Sequence, residues 1–468
     1  MAVLTQGLIP ASVLLAEPPP AWLARWGEFA ESFSLSDPEL SAQARLVLLD
    51  CLGAIAAGMQ EPETRALSAR LARRGGACPA IGAGLRLQPS DAAFVNGVAG
   101  TMLELDEGNS FARGHPGIHV LPALLAARPL ADVAGREFLS AFVLGYEIGA
   151  RIGAASRLRP TIHPHGTWGT VGAALAVAKL DAAAAAALAS TISLAAPLST
   201  GASLRAMLEG ATVRNAYAGI AARNGLAAHD LVACGFTAES DGVRSVYGAV
   251  LAERFAPEAM LEQLGSRWDI QRNYFKRHAA CRFTHGALDV VAALLAAHGP
   301  LDPAGIARIE VRSYAMAAQL DAPAPTTMLG AKFSLPFAIA TTIVHGAATV
   351  PAFRAAALAD PAIRALALKV GVAEDAALSA MLPDRRPARV AIHLADGTVL
   401  RGETFTNRGD ASDPYAPEEI EAKFLELAIP VWGERHARAL SHAVATLEQA
   451  DSLSGFEALI AEPPLRDR

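Results

Sequence analysis

Apolar positions in the first half of the chain recur every three or four residues, the spacing of one helix face after another. Ser36 stands as an N-cap ahead of the run LVLLDCLGAIAAG. Pro38 suits a first turn, and Glu39, three residues after Ser36, completes a capping-box pattern, which predicts a helix over about 37–57. After Ser90, Phe94, Val98, Met102 and Leu105 keep helical spacing to about Leu105, and Gly97 and Gly100 leave room for a close neighbour. The stretches 138–156, 166–180 and 181–196 continue the pattern, and helices so rich in Ala and Gly can approach one another closely.

The pattern changes after about residue 270. IARIEVRS (306–313) alternates as a strand, and ARVAIHLADGTVLRGETF (388–405) reads as two strands joined at Asp396-Gly397. Between them, AKFSLPFAIATTIVHG and DPAIRALALKV read as helices. APEEIEAKFLELA and PVWGERHARALSHAVATLEQ, near the end, are helical again. The expected fold is mainly α: a large all-helical domain built from both chain ends (1–271 and 413–468) and a smaller α+β unit over 272–412.

Composition narrows the function classes. Charged residues make up 18% of the 468 positions and apolar ones 52%, which describes a well-packed globular protein. A formal net charge of −6 with scattered arginines offers no basic footprint, so nucleic acid is not expected as a partner. The amino terminus is apolar but has no basic residue before Arg25, unlike a secretory signal. Ala182–Leu204 is long enough to span a bilayer but is dominated by Ala, Ser and Thr and contains Pro197 and Gly201, so it reads as a buried helix and loop. No membrane association and a cytoplasmic location are expected. Cys51, Cys78, Cys234 and Cys281 show no CxxC spacing, which argues against a disulfide framework or an iron–sulfur cluster.

Three clusters could carry chemistry. The first, ELDEGNSFARGHPGIHV (104–120), sets Glu104, Asp106 and Glu107 at a helix carboxyl end, where the dipole disfavours negative charge, so something must offset the cost. His115 precedes Pro116 as the cap of a new helix, at a place where free N–H groups attract anions. A purely structural reading pairs Arg113 with Glu107 on a solvated loop. His115 and His119 have a zinc-compatible spacing, but Pro116 makes His115 a cap and no HExxH glutamate is present, so no metal is assigned. The second cluster, RPTIHPHGTWGTVGAA (159–174), places His163-Pro164-His165 before another helix, either as acid–base groups or as structural caps.

The third cluster, NYFKRHAACRFTHGALD (273–289), gathers Lys276, Arg277, His278 and Arg282 where the two domains should meet. Only five lysines occur, at 179, 276, 332, 369 and 423, against 35 arginines, so a lysine in such company invites a functional reading; an ordinary charged linker is the alternative. Cys281 with His285 could form a nucleophile pair or ligate a metal, yet helical spacing in an apolar run favours a buried thiol. A Walker A motif, a GxGxxG after a strand and a GxSxG are all missing. What remains is proton transfer on an anionic small molecule.

Taken in order, AAFVNGVAGTMLELDEGNSFARGHPGIHVLPALL, GYEIGARI, IHPHGTWGTVGAAL, YFKRHAACRFTHGALD, AKFSLPFAIA and FTNRGDASDPYAPEEI resemble the MmgE/PrpD family from about residue 30 to 430. That family includes 2-methylcitrate dehydratase, cis-aconitate decarboxylase and iminodisuccinate epimerase. The resemblance implies a helical domain with an inserted α+β lid, a cleft between them, a homodimer, a small carboxylate substrate, and no metal or organic cofactor. It implies chemistry at a carbon beside a carboxylate, where the site stabilises an enolate-like charge.

Carried over residue by residue, the resemblance gives His115 (from HPG) and His163 (from FHPTGTWG) acid–base roles. Lys276 becomes a carboxylate ligand, Asp106 falls in the acidic DFDD run, and Glu104 replaces that run's first aspartate. Arg113 is a candidate second carboxylate grip, and His278 is grouped with the substrate-binding residues. Three departures stand out. The lysine of TKPLH is replaced, leaving Arg214 to supply that charge; the tyrosine of SIPY is Phe337; and one extra residue separates the acidic run from His115. The resulting expectation is a cofactor-independent lyase, foremost a dehydratase of a small hydroxy di- or tricarboxylate, with an epimerase, a decarboxylase or a carboxylate binder as alternatives.

Overall fold

The computed structural model describes residues 19–382 and 384–465. The amino-terminal signal reading above rests mainly on residues 1–18, which lie outside that range. Helix α1 (Pro38–Gly58) matches expectation in length, but its cap is Asp37 rather than Ser36: the Asp37 carboxylate accepts the N–H groups of Glu39 and Leu40. The reason is Pro38, whose fixed φ makes it the first helical residue and its predecessor the cap.

Helix α2 (Pro89–Thr101) stops four residues before the predicted Leu105. Glu104 takes a left-handed φ of 55°, and the carbonyls that would continue the helix find tertiary partners instead. Lys332 Nζ donates to the Met102 carbonyl at 2.8 Å, and Lys423 Nζ to that of Leu105 at 2.6 Å. Helices α3 (Pro116–Ala127), α4 (Gly135–Ala155), α6 (Tyr217–Ala233) and α7 (Pro417–Trp432) pack against α1 or α2, and α5 (Gly169–Leu180) packs against α3, α4 and α6. Gly97 of α2 explains one close approach, since a Cβ there would lie 2.6 Å from Gly219 Cα of α6.

Four strands form the main sheet: β1 (Ile306–Ser313), β2 (Val370–Glu374), β3 (Ala388–Leu394) and β4 (Val399–Thr404), in the order β4-β3-β1-β2. The β3–β4 hairpin turns where predicted, with Gly397 at φ 91°. The helix expected over DPAIRALALKV ends at Ala367, and β2 (Val370–Glu374), which begins at the last residue of that stretch, pairs in parallel with β1. Its local sequence could not reveal a strand whose partner lies some sixty residues away. AKFSLPFAIATTIVHG, read as one helix, breaks into Met328–Lys332 and Leu335–His345, because the Ser334 hydroxyl caps the second piece. The expectation of an all-helical large unit also needs correction. Three two-stranded pairs sit within 1–274, and one of them joins Gly108–Asn109 to Asn273–Tyr274.

Buried apolar side chains fall into two cores. One gathers residues from Trp22 to Phe275 and from Ile420 to Ile460. The other is built mainly from Ala279 to Leu400 and also takes Val98, Met102, Leu103 and Leu105. Among the described residues, α1 and α4 are long and apolar enough to cross a membrane, and both are mostly buried inside the protein.

The α2–α6 contact makes a direct prediction. Gly97→Val should destabilise the protein by about 1–3 kcal/mol in urea unfolding, because overpacking there meets backbone. Gly455→Ala, at a helical glycine with nothing within 4 Å of the added methyl, should be neutral or slightly stabilising.

Candidate active site

The segment after α2 turns three acidic side chains inward. Glu104, Asp106 and Glu107 are all buried, with Asp106 and Glu107 fully enclosed. The short pair Gly108–Asn109/Asn273–Tyr274 then brings the Lys276 segment alongside. Lys276 Nζ lies 3.5 Å from Glu104 Oε2 and 3.7 Å from Asp106 Oδ1, and it is itself fully buried. Arg214 ion-pairs with Glu104, and its Nε lies 3.4 Å from His163 Nε2.

His115 is the N-cap residue of α3, as predicted. Its Nδ1 faces the Glu107 carbonyl at 2.6 Å and Asp106 Oδ2 at 3.0 Å. Two oxygen acceptors place the proton on Nδ1 and leave Nε2 as the free nitrogen. Burial raises the Asp106 carboxyl, but His115, Lys276 and Arg214 together outweigh it and hold the group well below the usual carboxylate range. Glu107 behaves in the opposite way: burial pushes it up to about 8. It accepts the Gly117 N–H at 2.7 Å and the Tyr146 hydroxyl at 3.0 Å, which pins the first turn of α3.

Four histidine rings meet beside Asp106. His165 lies 4.7, 5.0 and 4.9 Å from the ring centres of His115, His119 and His163. His119 Nδ1 faces the His115 carbonyl at 2.6 Å, and burial depresses its pKa to about 4. His163 and His165 lie well below the ordinary histidine range, through burial first and the Arg214 charge next. The site therefore offers uncharged imidazoles set against a fixed arrangement of two carboxylates and two cations.

Of the nine residues predicted for the site, His115, His163, Asp106, Lys276, Glu104 and Arg214 come together. Three are placed elsewhere. Arg113 is exposed, and the Glu107 carboxylate it was to pair with is bound by Gly117 and Tyr146 instead. His278 is committed to Asp289 at 2.9 Å and packs edge-on against His285. Phe337 is buried in the second core near Phe353, beside a cavity of about 610 Å³ whose lining includes Met328 and Arg364. Neither that cavity nor a second one of about 710 Å³ near Phe236 is lined by the histidine cluster. Cys281 is a buried thiol pushed up to about 12 by burial, and His285 pairs with Arg282.

Sequence reasoning named His119, His165 and Glu107 without placing them in the final site set, and it gave Lys332 and Lys423 no role. For the lysines a signal existed: of five in the chain, Lys276, Lys332 and Lys423 converge on residues 102–106. His165 stands where the quoted FHPTGTWG pattern has threonine, a difference also visible in the sequence.

Asp106, His115 and His165 offer one ligand atom each within 4.8 Å of one another, a grouping of the kind that can hold a metal ion. The charges count against one. Glu104 and Asp106 are balanced by Lys276 and Arg214, which leaves no net negative charge for a divalent ion and puts an ammonium group 3.7 Å from the only carboxylate ligand.

Two family models match the sequence, the MmgE/PrpD N-terminal domain over residues 24–253 and the MmgE/PrpD C-terminal domain over 278–449. The chain belongs to the MmgE/PrpD family. Among relatives in that family, cis-aconitate decarboxylase from Homo sapiens is 27% identical over 404 residues, 81% of each chain. The Mus musculus enzyme of the same name is 28% identical, covering 82% of this chain and 80% of its own. Cis-aconitate decarboxylase-like protein oryM from Aspergillus oryzae is 26% identical, covering 82% and 85%. The family's members are enzymes, and the order of motifs that suggested the family is thereby explained.

Glu107 gives the site a pH signature. Its folded-state pKa of about 8 lies above the unfolded value of 4.5, so the stability it contributes is full below about pH 4.5 and is lost as pH rises through 8. Glu107→Gln should flatten the fall in melting temperature between pH 5 and 9. Glu147, pushed up to about 7 by burial, contributes a slope of the same sign that the variant leaves in place. An unchanged pH dependence in E107Q would show that the carboxyl is ionised in the native protein.

Proposed function

We propose that this protein is a cofactor-independent lyase acting on a small di- or tricarboxylate, with decarboxylation of a cis-aconitate-type substrate as the first reading. The observation that carries it is the buried Asp106–His115 pair, flanked by Lys276 and surrounded by uncharged imidazoles. Asp106 and the Glu107 carbonyl orient the His115 ring through Nδ1. Lys276 and Arg214 hold substrate carboxylates. The scissile carboxylate leaves as carbon dioxide, its bonding electrons pass into an enolate-like anion, and a proton taken up from solvent at His115 Nε2 is passed to the carbon. The names borne by the relatives support this ordering.

Dehydration of a 2-methylcitrate-type hydroxy acid is the second reading. It is favoured by His163, which stands on a different turn and could act as base or acid opposite His115. In this proposal the two apolar cores correspond to a body and a lid over 272–412, and the site lies where their residues meet. Phe337, buried away from the cluster, gives no preference between the two.

Proton NMR in heavy water with cis-aconitate, 2-methylcitrate, citrate and iminodisuccinate tests the proposal. Olefinic product with loss of carbon dioxide is expected from cis-aconitate. Loss of water from 2-methylcitrate would move the assignment to the second reading. Deuterium uptake without a new product would indicate an epimerase, and ligand-induced stabilisation without turnover a binder. In the active assay, His163→Ala should lower kcat by about 10²–10⁴-fold at unchanged melting temperature, while Asp106→Asn should lower kcat by a similar factor and also the melting temperature, because it removes the buried partner of Lys276; full activity in either variant would remove that residue from the mechanism.

A further inference from the structure

His165 is the centre of the four-ring cluster, yet it is the ring with the least to do. His115 is held by Asp106 and the Glu107 carbonyl, and His119 by the His115 carbonyl. His163 accepts the His165 backbone N–H at 3.1 Å. The His165 side chain is 1% exposed, and neither of its ring nitrogens has a hydrogen-bond partner among the described residues. A buried polar group left in this way costs about 1–3 kcal/mol, so a ring kept for structure alone would be a net loss. One of its nitrogens lies within 4.8 Å of ligand atoms on both Asp106 and His115, so the ring is aimed into the site.

We infer that His165 is a substrate-contacting residue whose ring N–H donates a hydrogen bond to a carboxylate oxygen of the bound polycarboxylate, the oxygen on which negative charge builds during reaction. The backbone supports this placement. Gly166 follows at φ 88°, and its N–H points to His119 Nε2 at 3.5 Å, so the tight turn from His163 to Gly166 fixes the ring from below. Burial together with the Arg214 charge keeps the ring uncharged, with one N–H and one lone pair. Such a ring polarises an oxygen without giving up its proton, which separates its role from that of His115. A donor aimed at developing charge in a water-poor pocket strengthens as the charge grows, and this lowers the barrier rather than only tightening binding.

The inference rests on the polycarboxylate reading, and the test separates the two. His165→Leu removes both nitrogens at similar bulk, whereas His165→Gln keeps an N–H donor. On the substrate that the wild-type protein converts, H165L should lower kcat/KM by about 30-fold or more, mostly through kcat, and H165Q should recover at least about tenfold of that loss. The inflections of the pH profile should stay in place, because the ring gives up no proton. Without ligand, H165L should melt at or above the wild-type temperature, while the stabilisation produced by added substrate should shrink.

Wild-type kcat/KM in H165L overturns the inference, as does an H165Q variant no better than H165L at equal melting temperature. If H165L fails to fold, the ring is structural and the inference falls, unless ¹⁵N-histidine NMR of the wild-type protein shows the resonance absent from H165Q moving on citrate addition. A wild-type protein that neither binds nor converts any of the four compounds overturns both readings. Turnover that is indifferent to His165 overturns this one alone.

Discussion

The segment from Met102 to Asp106 leaves its helix early, carries two buried carboxylates past a helix carboxyl end, and is held there by three ammonium groups. Lys332 takes the Met102 carbonyl, Lys423 takes the Leu105 carbonyl together with Asp50, and Lys276 lies between Glu104 and Asp106. Positive charge at the end of a helix offsets the dipole that would otherwise penalise these acids. Buried charges in such an array depend on one another, and removing one partner of a buried pair typically costs about 3–5 kcal/mol. The position of Asp106, and through it the orientation of His115, depends on this clamp.

The three lysines come from distant parts of the chain. Lys276 and Lys332 flank or belong to the stretch that builds the second apolar core, while Lys423 lies on α7, packed against α1 in the first. The clamp is therefore also a joint between the two cores, and Leu103 and Leu105, within the clamped segment, bury their side chains in the second. A site assembled in this way exists only when both cores are formed. That accounts for why a strained, left-handed Glu104 persists at its centre.

The cluster also shows where stability has been given up. His165 has no partner for either ring nitrogen, and Glu107 is kept protonated at neutral pH to serve as a hydrogen-bonded support for α3. Uncharged imidazoles beside a self-neutralising set of acids and bases leave the pocket free of a large net charge.

Much of this was legible from residue order. The helix periodicity, the β3–β4 hairpin at Asp396-Gly397 and the cap at His115 follow from local chemistry, because caps, turns and amphipathic faces are written within a few residues, while the joint roles of His163 and Lys276 came from the resemblance of the motif order to a known family. What the sequence could not determine lay in partners distant along the chain. β2 needed a parallel neighbour, the end of α2 was decided by lysines 230 and more residues away, and Arg113, His278 and Phe337 turned to other company. Residue type states what a side chain can do; which charge balances it, and whether water reaches it, is decided only when the segments that bury it have packed.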